Sequence, residues 1–87
     1  MRKCPKIGDR VRYKGSLAVG PCVGAVTKIY IQYTWDNDKS DSWNALHGAP
    51  LAEFEWHVAM RPDVLPERWA YKGNDTFAPQ VADLAKI

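Results

Sequence analysis

Four side chains in this sequence have the chemistry of soft-metal ligands or of a nucleophile and its base: Cys4, Cys22, His47 and His57. Zinc sites announce themselves as close Cys or His pairs of the C-x-x-C or H-x-x-x-H kind. No two of the four stand at such a spacing, so neither a metal nor any other cofactor is expected. Asp36, Asp38 and Ser40 match the first, third and fifth positions of a calcium-binding loop. The match then fails, because Asp41 stands where that loop needs glycine and His47 where it needs a bidentate glutamate. The stretch reads instead as a polar turn with solvated carboxylates. A thiol becomes a nucleophile when nearby positive charge lowers its pKa, yet Cys22 is flanked by Pro21 and Val23. His57, among glutamates on the wet face of a strand, reads as a surface histidine. No catalytic residue is assigned, and a binding protein rather than an enzyme is expected.

Aromatic side chains are the more informative set. Tyr13, Tyr30, Tyr33, Trp35, Trp43, Phe54, Trp56, Trp69, Tyr71 and Phe77 exceed what one small core needs. Trp43 lies in a polar stretch where no strand phase buries it. Either it is a contact residue, or its loop folds back and the ring caps one end of the core. With Tyr33 or Trp35, and with Asp36, Asp38 and Asp41 nearby, it has the makings of an aromatic cage for a cationic side chain of a peptide partner.

Charge is unevenly spread. The net charge is +2, but residues 1–30 hold seven Lys and Arg against Asp9 alone. Residues 31–57 hold Lys39 against Asp36, Asp38, Asp41, Glu53 and Glu55, and the remainder balances. The simplest expectation is that the basic opening and the acidic middle compensate each other. The alternative is nucleic-acid binding. Arg10, Arg12 and Lys14 on one strand face recur every ~6–7 Å, near phosphate spacing, and Lys28 would extend the track.

These residues need elements to position them. Val11 and Tyr13 alternate with Arg10, Arg12 and Lys14, the period of a half-buried strand. Residues 24–35 are rich in β-branched and aromatic side chains, so they form one bent strand or two meeting near Lys28–Ile31, with Ile31, Tyr33 and Trp35 on one face. Residues 36–50 read as a polar turn and extended loop. Phe54, Trp56, Val58 and Met60 alternate inward against Glu53, Glu55 and His57. One helical turn near Asp63–Pro66 and a final strand over Arg68–Tyr71 follow. Pro79 at a helix start, with Val81, Leu84 and Ala85 on one face, predicts a short C-terminal helix.

The stretch Ile7–Gly15, then Gly24-Ala25-Val26-Thr27-Lys28-Ile29-Tyr30, then Tyr33-Thr34-Trp35-Asp36, resembles the opening of KOW-type and Tudor-like SH3-like barrels. The resemblance covers residues 7–71 and implies a mainly β fold, a small SH3-like barrel of four to five antiparallel strands. Members of that fold bind proteins, RNA or modified peptides. The organisation expected is a basic N-terminal arm (1–6), a barrel domain (7–73) and a C-terminal helical segment (74–87). The absence of a long apolar run argues against a membrane span. The absence of an apolar stretch after the basic start argues for a cytoplasmic setting. The expected function is a protein-interaction or assembly module working through residues 36–50. A further reading is an accessory protein of a phage or mobile element.

Overall fold

The alternation of charged and apolar residues in Arg10-Val11-Arg12-Tyr13 produces the first strand. In the computed structural model, which describes residues 1–87, β1 (Arg10–Tyr13) buries Val11 and Tyr13 and leaves both arginines in solvent. The β-branched run that follows becomes β2 (Cys22–Tyr30), antiparallel to β1. β3 (His57–Pro62) lies antiparallel to β2. β4 (Leu84–Lys86) lies antiparallel to β1 on its other side. The protein is mainly β: one open four-stranded sheet in the order β3-β2-β1-β4, with a single short helix, α1 (Asp41–His47). No helix is long and apolar enough to cross a membrane.

One face of the sheet carries the core: Val11, Tyr13, Val19, Val26, Val58, Met60, Phe77, Val81 and Leu84. Each large aliphatic member contributes about 1.5–3 kcal/mol by leaving water. Phe77 fits edge-on against Tyr13, with ring centres 5.0 Å apart, and against Trp69, 5.5 Å away. Gly24 sits in the middle strand between Val11 and Pro62. A Cβ there would collide with the Arg61 carbonyl, so the close approach of β3 depends on glycine. β2 carries a bulge at Thr27: Val26 faces Met60, Lys28 faces Ala59, and the intervening residue has no partner in the ladder.

Residues 24–35 therefore form neither one continuous strand nor two. β2 ends at Tyr30, and the rest continues as a non-strand segment with an isolated bridge between Tyr33 and Pro50. The row Ile31, Tyr33, Trp35 shares one face as expected of its phase, and that face is exposed. Phe54 is also exposed, at 45 %. A 3-10 turn over Glu53–Glu55 breaks the alternation at Phe54, whereas Trp56 is half-buried against the core and Val58 and Met60 are fully buried in it.

The C-terminal helix is replaced by a 3-10 turn (Val81–Asp83) followed by β4. Val81 and Leu84 do point inward together, but one turn achieves that. The main chain beyond it gains ladder bonds on the open edge of β1 that a marginal helix could not match. Residues 68–71 hold only a bridge from Trp69 to Val19, and no helical turn forms at Asp63–Pro66. The first residues are held rather than loose, with the Met1 ammonium donating to the Leu84 carbonyl at 2.8 Å and Pro5 buried.

Candidate functional site

The stretch expected to be an extended loop contains α1. Ser40 caps it, its side chain accepting from the Trp43 N–H at 3.1 Å, while the Asp36 carboxylate accepts from the Asp38 N–H at 2.9 Å in the turn before it. The Asp-x-Asp-x-Ser pattern thus serves to enter a helix. Asn44 locks the helix down. It is buried, its Oδ1 accepts from the Asp36 N–H at 2.7 Å, and its Nδ2 donates to the carbonyls of Asp36 and Ser40, both at 3.0 Å. Gly48 closes the helix where a Cβ would come within 2.8 Å of the Asn44 carbonyl and 3.2 Å of that of Thr34.

Two antiparallel pieces of chain carry this helix. The Thr34 N–H donates to the Ala49 carbonyl and the Leu51 N–H to the Gln32 carbonyl, each at 2.8 Å. These two bonds flank the Tyr33–Pro50 pair, so the N–H and C=O of Tyr33 itself face away from Pro50. Residues 31–50 form an excursion in which Asn44 is the sole buried residue. The molecule measures 42 × 25 × 18 Å, and its radius of gyration is 14.6 Å against about 12 Å for a compact chain of this length.

A groove of about 600 Å³ runs along the excursion. Its walls are the segment Ile31–Trp35 on one side and Asn44, Ala45 and Gly48 on the other. Tyr33 and Trp35 are both more than half exposed there. Another hollow, of 510 Å³, is bounded by Gly20, Pro21, Pro66, Glu67 and Arg68 and offers no large apolar side chain.

Of the residues expected to form an aromatic cage, Tyr33 and Trp35 line the same groove. Trp43 stands apart: its ring stacks on His47 with centres 4.6 Å apart, and Lys39 lies over it at 5.5 Å. The place of a cation on Trp43 is thus taken by the chain's own lysine. Asp36, Asp38 and Asp41 are exposed, and none of the four ion pairs in the molecule uses them. Asn44, Ala45 and Gly48 belong to the groove and were not singled out in the sequence. The Ser40 cap ahead of Trp43 was the one signal that could have revealed the helix and, with it, the second wall.

The basic strand is compensated, but not by the acidic middle. Arg10 holds Asp63 through both guanidinium nitrogens, and Lys14 pairs with Asp83 at 3.0 Å. Hydrogen bonding to Arg10 keeps the Asp63 carboxyl below its ordinary range, and Asp63 in turn raises Arg10. Lys28 lies over the Tyr30 ring at 5.1 Å, leaving Arg12 as the member of the track with neither a carboxylate nor a ring partner.

Burial pushes both thiols up, Cys4 with a further contribution from the charge of Glu53. Cys4 Sγ approaches the Pro5 carbonyl at 3.3 Å, and His57 Nδ1 lies 3.0 Å from the Ala78 carbonyl. No three His, Cys, Asp or Glu side chains gather in metal-binding geometry. Compared with known proteins, the chain matches no protein-family model, no curated protein and no solved structure.

Proposed function

We propose that this protein is a non-enzymatic interaction module that takes a protein or peptide partner in the groove of residues 31–50. The observation that carries the reading is the exposed row Ile31, Tyr33, Trp35 along a groove whose opposite wall is fixed by the buried Asn44. An excursion stabilised by polar bonds gains little for the fold by displaying these rings to water, whereas aromatic side chains at the centre of a contact are its strongest anchors. Surface area supports the same reading. The accessible surface is 5980 Å², against about 5200 Å² for a compact monomer of this mass. The difference, about 800 Å², is of the order that one partner contributes to a standard interface.

The SH3-like form is part of this proposal. Its support is that one segment serves both edges of the sheet: Phe77 and Gln80 bridge to β3, and Leu84–Lys86 pair with β1. Binding through the basic strand is the weaker alternative, because Arg10 and Lys14 are engaged by carboxylates of the same chain.

Photo-crosslinking tests the groove. A benzoylphenylalanine placed at Tyr33 is expected to capture a defined partner in lysate of the native host, and Trp35→Asp is expected to abolish the product. The same probe at Leu17, which is 95 % exposed and lies away from the groove, is expected to give none. No product from Tyr33, or the same products from both positions, would overturn the reading.

A further inference from the structure

Open strand edges invite pairing, and proteins blunt them by cover, brevity or charge. The edges of the sheet follow that rule. β3 is covered, with Phe77 and Met60 exchanging main-chain bonds at 3.1 and 2.8 Å and the Val58 N–H donating to the Pro79 carbonyl at 3.1 Å. β4 is three residues long and carries Lys86. The segment Ile31-Gln32-Tyr33-Thr34-Trp35 has none of these protections. It has strong β propensity, no charge and no proline. One side is paired to residues 49–51, while the N–H groups of Ile31, Tyr33 and Trp35 have no hydrogen-bond partner in the molecule.

Resting on the interaction reading above, we infer that the groove binds its partner by strand addition: an extended peptide lies along Ile31–Trp35 and completes its main-chain bonds. Strand addition draws affinity from the backbone and specificity from alternate side chains. Here the two kinds of alternate position differ. Those entering the groove meet Tyr33, Trp35 and Ala45 and call for small or β-branched apolar groups. Those turned outward face a surface to which the chain adds, directly after the segment, Asp36, Asp38 and Asp41, three exposed carboxylates outside every ion pair of the molecule, and so favour lysine or arginine by charge complementarity. The partner is therefore an extended segment in which basic and apolar residues alternate.

The test uses the full chain labelled with nitrogen-15 and three short synthetic peptides. One alternates lysine and valine, one alternates glutamate and valine, and one is the lysine peptide N-methylated on the edge that would face the protein. The lysine peptide is expected to bind saturably, to shift the amide signals of residues 31–35 and 44–48, and to slow hydrogen exchange at Tyr33 by on the order of tenfold or more, the signature of a new main-chain bond. N-methylation is expected to weaken binding by at least about tenfold, and the glutamate peptide is expected not to bind.

Equal affinity for the methylated peptide, or binding that leaves exchange at Tyr33 unchanged, would overturn strand addition. Absence of binding by the lysine peptide would overturn it as well. A dimer of the free protein with the same amides protected, seen by sedimentation, would overturn the peptide occupant in favour of a second copy. Crosslinking from position 33 is read separately, so a captured partner with no exchange protection refutes the mode of binding and leaves the interaction reading standing.

Discussion

Arg10 and Asp63 show how little a surface pair contributes and how it can still be read. The guanidinium donates to both carboxylate oxygens, with Nη1 2.7 Å from Oδ1. Both side chains are about half exposed, so water and salt screen the attraction. Asp63 has a folded-state pKa below its unfolded one. Its contribution to stability is therefore present above the ordinary carboxylate range and is lost as pH falls through the lower, folded value. Asp63→Asn is expected to lower the urea midpoint slightly near neutrality at low salt. The gap to wild type should close in strong acid and in high salt, and a gap that persisted in acid would mean the substitution acts through packing. The thiols run the other way: with Cys4 and Cys22 both raised by burial, little thiolate forms near neutrality.

At the scale of elements, the excursion and the sheet are stabilised by different physics and should melt separately. The sheet rests on aliphatic burial, whereas the excursion rests on the three hydrogen bonds of Asn44. Asn44→Ala is expected to cost about 1–3 kcal/mol locally, the penalty of stranding half-buried polar groups. Hydrogen exchange should quicken across residues 32–50 while Val11, Val58 and Met60 stay protected. Uniform acceleration in both regions would show that the two are one cooperative unit.

The same division explains what was legible in the sequence. Val11/Tyr13 and Val58/Met60 were readable because strict alternation buries one face of a strand, and the core lies on that face. Helix α1 was not, because its signal is a serine cap and a buried asparagine rather than an apolar stripe. Phe54 misled because two residues of alternation continue into a 3-10 turn, where the period no longer applies. β4 was hidden for a related reason: Val81 and Leu84 fit a helix face and a turn-plus-strand equally well, and the open edge of β1 decides between them. Of the site, Tyr33 and Trp35 were visible as aromatic residues out of place. Their shared groove was not, since its second wall comes from the helix.

At the scale of the whole molecule, β4 is a small element that ties several parts of the chain together. It places Leu84 in the core, occupies the outer edge of β1 and supplies the carbonyl that receives the Met1 ammonium. A chain of 87 residues has roughly 4–13 kcal/mol of total stability, and removing one buried leucine side chain costs about 2–5 kcal/mol. Deleting residues 84–87 is expected to abolish cooperative unfolding and to collapse the near-ultraviolet circular dichroism of the four tryptophans. A sharp urea transition in the shortened chain would show that three strands suffice.

The bulge at Thr27 has a consequence for how this protein can diversify. Thr27 and Lys28 together oppose Ala59, so losing one of them would leave Ile29 opposite Val58 and the ladder otherwise intact. What would change is the bend, and with it the direction in which everything after Tyr30 leaves the sheet. The joint works as an elbow: a single-residue deletion there can swing the excursion to a new bearing while the scaffold beneath it keeps its inner face, which separates the evolution of reach from the upkeep of the fold.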